Sequence, residues 1–183
     1  MQSQCLQNKT LESIHHPFKP VKDSNSKILI LGSFPSVASR EQDFYYSHPR
    51  NRFWKVLENL LKCELENKKQ EEKCAFLLAH RIALYDVCVE CQITNSSDST
   101  LKPIKIAPLE SLIQNTQIQH IFLNGKKAAQ IYQKAFKDSK VISSLSHTAL
   151  PSTSPANAKW NLEKLCQEWS AILIALRNKN EIH

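Results

Sequence analysis

Glycine is almost absent: 2 of 183 residues, where average usage near 7% would give roughly 13. That scarcity excludes collagen-like, glycine-rich and flexible-linker architectures. It also marks each glycine as a place where the backbone needs one. Long apolar runs are missing too. Runs such as residues 28–31 and 171–176 fall far short of the roughly 20 residues that span a bilayer, so no membrane partner is expected. The opening MQSQCLQNKT lacks the apolar core of a secretory leader. Six cysteines (Cys5, Cys63, Cys74, Cys88, Cys91 and Cys166) are scattered along the chain and read as reduced thiols of a cytoplasmic protein. Cys88 and Cys91 form a lone CxxC with no second pair, and Cys63 and Cys74 are irregularly spaced, so no metal and no cofactor is expected. No GxGxxG or P-loop pattern occurs, which argues against a small-molecule enzyme built on a nucleotide fingerprint.

What is present is an ordinary globular composition, 42% hydrophobic and 22% charged. Lys and Arg number 24 against 17 Asp and Glu, a formal net charge of +7, which favours a polyanionic partner. Residues 1–24, polar and carrying Pro17 and Pro20, read as a lead-in arm. Residues 25–178 form a single domain and 179–183 a tail. Short apolar runs at 27–33, 81–87, 120–125 and 139–143 predict strands. Helical spacing predicts helices from residue 51, within 64–80, after Pro108, after Gly125 and over 162–176. Residues 33–50, 90–103 and 147–157 read as loops. The alternation predicts an α/β sandwich with a mainly parallel sheet, whose ligands sit beyond the carboxyl ends of the strands.

Both glycines and two Pro/Ser loops fall at such ends. Gly32-Ser33-Phe34-Pro35-Ser36 can offer amides and hydroxyls to a phosphate, or can simply make a tight strand exit. Tyr45 to Trp54 surround one amide, Asn51, with aromatics, His48, Arg50 and Arg52. Rings of this kind stack a base and arginines pair with phosphate; equally, the rings can be core and the arginines solvated. Leu150 to Asn157 precede a helix and can cradle a phosphate or cap that helix. Asp86 ends a strand at the same rim, where it can meet a ligand or cap a turn. Asn124, before Gly125, can read a base edge or mark a turn.

Taken together, ILGSFPS (30–36), YYSHPRNRFW (45–54), LYD (84–86), FLNGKKA (122–128) and LPSTSPAN (150–157) resemble the uracil-DNA glycosylase superfamily. They are most similar to its hypoxanthine (deoxyinosine) DNA glycosylase branch, close to the mismatch-specific uracil glycosylases. The resemblance implies a three-layer α/β/α sandwich with a central, mostly parallel four-stranded sheet. It implies a metal-free enzyme that hydrolyses the N-glycosidic bond of a deaminated base flipped out of DNA. No Lys in the matched motifs is placed to attack the sugar, so a monofunctional enzyme is expected, and nothing suggests a dimer face, so a monomer is expected. Other branches carry a carboxylate or amide just after the first glycine; here Ser33 and Phe34 stand there. A histidine often opens the last motif; here it is Leu150.

In the hypoxanthine branch the catalytic amide comes from the second segment, which assigns the water to Asn51. A neutral amide can place water without a particular protonation state. By the same resemblance Phe34 stacks on the base, Tyr45 or Tyr46 forms a second wall, and Asp86 and Asn124 face its edge. Ser33, Ser36, Ser152, Thr153, Ser154 and Asn157 hold phosphates, and His48, Arg50 and Arg52 add charge. A uracil or mismatch-specific glycosylase, and a non-catalytic nucleic-acid-binding module on the same fold, are the alternatives.

Overall fold

The computed structural model describes residues 11–94 and 102–177. The elements run β1 (Leu11–His15), β2 (Ile28–Gly32), α1 (Val37–Glu41), α2 (Phe53–Leu61), α3 (Gln70–Ala79), β3 (Ile82–Asp86), β4 (Cys88–Thr94), β5 (Lys102–Ile106), α4 (Leu109–Ile113), β6 (His120–Asn124), α5 (Lys126–Phe136), α6 (Lys140–Ser143), β7 (Ser146–Leu150), α7 (Leu162–Trp169) and α8 (Ala171–Leu176). Four strands form an all-parallel sheet in the order β3-β2-β6-β7. β2 and β3 are buried along their whole length. This is why they read as unbroken apolar runs and not as alternating ones.

From β2 the chain crosses to β3 on one side; from β3 to β6 and on to β7 it runs the other way. Right-handed crossovers therefore put α1–α3 on one face and α4–α6 on the opposite face. α7 packs on α2 and α8 on β2, completing the first layer, while α5 covers β6 and β7. The result is the expected three-layer α/β/α sandwich. The strand order reverses between β2 and β6, and a crevice opens there at the carboxyl ends. Register aligns Gly32 with Asp86, and Asn124 with Leu150, along that edge.

A second sheet, β1-β4-β5, is antiparallel. β1 lies in the stretch read as an arm, and Val21 adds an antiparallel bridge to Leu84 of β3. Residues 90–103, expected as a loop, supply most of β4 and the start of β5; the portion at 95–101 lies outside the described residues. β5 is nearly all solvent-exposed, and an antiparallel pair with one wet face needs no apolar run. The register of β4 shifts between Cys88 and Cys91. Residues three apart in a regular strand face opposite sides; the irregularity turns both thiols inward, where they pack with Phe34.

The fourth strand is not where the sequence puts it. Residues 139–143 end in helix α6, started by Ser139, whose hydroxyl accepts the Ile142 N–H at 3.1 Å. The strand is β7, which takes the first residues of the segment read as a loop. Being at the sheet edge, it is mostly polar and exposed, so no apolar run announces it.

Candidate active site

The crevice is a cleft of about 1190 Å³. That exceeds the roughly 300–1,000 Å³ usual for small ligands and leaves room for a base with its sugar and phosphate. Asn51, Phe34 and Ser152, from three separate sequence segments, all line it. So do Ser33, Ser36, Tyr45, Tyr46, Asp86, Asn124, Thr153, Ser154 and Asn157. His48, Arg50 and Arg52 do not.

Asn51 sits just before α2. Its Oδ1 accepts the N–H of Phe53, the first residue of the helix, at 3.0 Å, which fixes which end of the carboxamide is oxygen. A second lone pair on that oxygen remains. Behind it Phe53 and Trp54 anchor α2 in the core. Trp54 stacks on Phe44 at 5.6 Å and donates its indole N–H to the Tyr45 carbonyl at 3.1 Å. These contacts hold the 44–46 loop against α2.

Phe34 is buried on the cleft wall with the Arg40 guanidinium 5.8 Å from its ring centre. The Tyr45 hydroxyl donates to the Lys19 carbonyl at 2.9 Å; burial, with Asp86, Tyr85 and other groups nearby, pushes its pKa far up. Tyr46 stacks on Phe53 with ring centres 4.0 Å apart. Asp86 is buried, and its Oδ2 accepts from His16 Nε2 at 2.9 Å.

The loop after β7 is held from behind. Asn124 uses both ends of its amide on Thr153: Nδ2 donates to Oγ1 and Oδ1 accepts the backbone N–H, each at 3.0 Å. Thr153 is fully buried. Arg52 donates to four carbonyls of the same loop, from Nε to Thr153 at 3.3 Å, from Nη2 to Ser154 at 2.5 Å and Asn157 at 3.2 Å, and from Nη1 to Trp160. The Trp169 indole donates to the Pro151 carbonyl at 2.9 Å. Ser152 and Ser154 hydroxyls accept the N–H groups two residues on, at 3.2 and 3.3 Å, and Asn157 Nδ2 donates to the Ser152 carbonyl at 2.9 Å. Ser36 caps α1 by accepting the Ser39 N–H at 3.3 Å. The Ser33 carbonyl accepts the Cys88 N–H at 3.1 Å. Gly125 has φ +97, and a Cβ there would lie 2.7 Å from Ser152 Cβ; this glycine lets the loop close against the start of α5.

His48 is half-buried and its Nδ1 accepts the Arg50 N–H at 3.1 Å, while Arg50 is exposed beside the cleft segment. Sequence reasoning missed His16 and Phe18 on the arm and Lys126 and Lys127 at the start of α5, although Phe18 and both lysines line the cleft. The lysine pair was legible in NGKKA. His16 lies 70 positions from its partner, and nothing local signals it.

The fold and cleft define an α/β protein that can enclose a nucleobase with its backbone. The family model "Uracil DNA glycosylase superfamily" matches residues 18–177, and the chain belongs to that superfamily. A protein of Methanosarcina acetivorans named hypoxanthine DNA glycosylase is 31% identical over 164 residues, covering 87% of this chain and 98% of its own length. A Methanosarcina barkeri protein of the same name is 31% identical over 116 residues, 62% of this chain and 72% of its own. The solution NMR structure of a provisionally named uracil DNA glycosylase from M. acetivorans superposes with a TM-score of 0.76 at 29% identity, covering 92% of this chain and all of that one. The protein is accordingly a DNA glycosylase. No helix among the described residues is long and apolar enough to cross a membrane.

Proposed function

We propose that this enzyme hydrolyses the N-glycosidic bond of a deaminated base, hypoxanthine foremost, flipped out of DNA into the cleft, and that Asn51 positions the water. The observation that carries this reading is the placement of Asn51, with Oδ1 fixed as an acceptor by Phe53, in the same cleft as Phe34 and Ser152. The names of the two Methanosarcina relatives support hypoxanthine as the substrate.

Bond cleavage builds positive charge on the sugar and negative charge on the base. The spare lone pair of Asn51 Oδ1 accepts one water hydrogen and turns the water oxygen toward the anomeric carbon. The C1′–N bond breaks, the base leaves with the electron pair and takes up a proton, and water oxygen bonds to C1′. Phe34 stacks on the extruded base, with Tyr45 behind it as a second wall. Donors at the base edge, Asn124 among them, stabilise its departing charge. Ser36, Ser152 and Ser154, with Ser33 and Asn157, face the flanking phosphates; His48 and Arg50 add positive charge outside the cleft. The enzyme works as a monomer in the cytoplasm.

Oligonucleotides bearing one inosine, uracil or xanthine, treated with alkali after incubation, test this. Abasic product is expected from inosine. Its absence from every lesion, with salt-sensitive DNA binding retained, would leave a non-catalytic binding module. Uracil is the alternative substrate, favoured by the superfamily's description. Asn51→Ala should abolish release while leaving DNA affinity intact; a near-native rate moves the water to another residue. Because Lys126 and Lys127 line the cleft, borohydride trapping is the check on monofunctional chemistry, and no covalent adduct is expected.

A further inference from the structure

Three features of the cleft floor take no part in placing water or phosphates. Tyr46 has φ +54, the left-handed region that bulky residues avoid and that marks functional sites when the surroundings enforce it. Its hydroxyl is the buried side-chain polar atom, among the described residues, left without a hydrogen-bond partner. Burial and the Asp86 carboxylate keep the proton on that hydroxyl; Asn124 lies close enough to act weakly in the other direction without completing a hydrogen bond.

The second feature is Asp86. His16 Nδ1 lies 3.1 Å from both the N–H and the carbonyl oxygen of Phe18, and its Nε2 donates to Asp86 Oδ2 at 2.9 Å. The two side chains are 1% and 6% exposed, and His16 is packed among Phe18, Phe34, Tyr45 and Tyr85. With Oδ2 engaged by His16, Oδ1 is the carboxylate oxygen without a hydrogen-bond partner among the described residues. The third feature is Gly32, where a Cβ would lie 2.1 Å from Asp86 Oδ1 and 2.9 Å from the Tyr46 oxygen. One of the chain's two glycines thus stands where an acceptor and an unused donor converge, both on the cleft.

We propose that Tyr46 and Asp86 form a donor–acceptor pair that reads the lactam edge of the base, with His16 as the residue that positions Asp86. This rests on the deaminated-base reading above. Deamination replaces a bare ring nitrogen and an exocyclic amine by a ring N–H and a carbonyl. Hypoxanthine therefore offers N1–H to the carboxylate and O6 to the hydroxyl; uracil offers N3–H and O4 in the same sense. Adenine and cytosine present the inverse pattern and set a lone pair against the carboxylate. The pair separates each product from the base it came from. Guanine shares the lactam edge and differs by its 2-amino group, which this pair does not read.

Tyr46→Phe removes one oxygen and keeps the ring on Phe53. Single-turnover release from inosine DNA should fall about tenfold to a hundredfold, while the melting temperature stays level or rises, since an unsatisfied buried hydroxyl is gone. Asp86→Asn should cut the rate on a similar scale. His16→Gln, which can still donate from an amide nitrogen, should recover most of what His16→Phe loses when both are assayed well below their melting temperatures. A role in packing alone would show no such recovery. A Tyr46→Phe rate within threefold of native, or equal losses in the two His16 variants, overturns the proposal while the glycosylase reading stands. A native protein that releases no base overturns both.

Discussion

Replacing Arg52 by lysine keeps the charge and removes the fork. Four carbonyls of the 153–160 loop now accept from one guanidinium; an ammonium on a flexible stem can serve one or two of them. Hydrogen bonds from a charged donor contribute about 1.5–3 kcal/mol each. Ser154, Asn157 and Trp160 are only partly buried, so their freed carbonyls gain water and the loss is well short of the sum. A net cost of about 2–3 kcal/mol on loop closure is expected, which is roughly a 30- to 150-fold rise in opening. Hydrogen exchange reads this at the Thr153, Asn157 and Trp160 amides, bonded respectively to Asn124 Oδ1, the Ser154 carbonyl and the Asn157 carbonyl. Base release should drop about tenfold or more although the positive charge is still there. Were Arg52 a phosphate contact, as its place in the motif suggests, lysine would substitute well. Native-like exchange and rates in Arg52→Lys, with Arg52→Ala flattening the salt slope by about 0.9 per phosphate contact, would refute the bracing role.

Two further tests address other parts of the molecule. Gly32→Ala pushes a methyl group into Asp86 Oδ1, which His16 prevents from yielding. Overpacking of this kind costs about 1–3 kcal/mol; urea denaturation should register that loss together with impaired base release, and an alanine variant as stable and active as native would contradict the crowding. Burial, with His147 nearby, lowers the His120 pKa below its ordinary 6.5. The unfolded chain therefore binds the proton first as the pH falls, so stability is full above the ordinary value and declines below it, toward the lower folded value. Melting temperatures between pH 7 and 5 should show this slope, and it should shrink in His120→Gln.

Legibility followed burial. Ile28–Gly32, Ile82–Asp86 and His120–Asn124 are buried along nearly their whole length and announce themselves as apolar runs. Ser146–Leu150 sits at the edge with a polar face, and Lys102–Ile106 is almost entirely water-facing; neither leaves a periodic signal strong enough to separate strand from loop. Lys140–Ser143 has strand-like Val141 and Ile142, yet the Ser139 cap decides for a helical turn. At the site, residues adjacent to strand ends were readable because topology alone delivers them to the crevice. Phe34 and Ser152 belong to that group, whereas Asn51, just before α2, was found through the resemblance to the hypoxanthine branch. The roles of Arg52 and His16 were not readable, since each depends on partners about 70 to 108 positions away, a distance over which pattern carries no information.

The Asn124, Arg52 and Trp169 anchors tie the 150–160 segment to β6, α2 and α7. One jaw of the enzyme is thereby soldered to its frame. On gradual warming, catalytic competence and the domain should be lost in a single step, with no milder, idle form of the native enzyme in between.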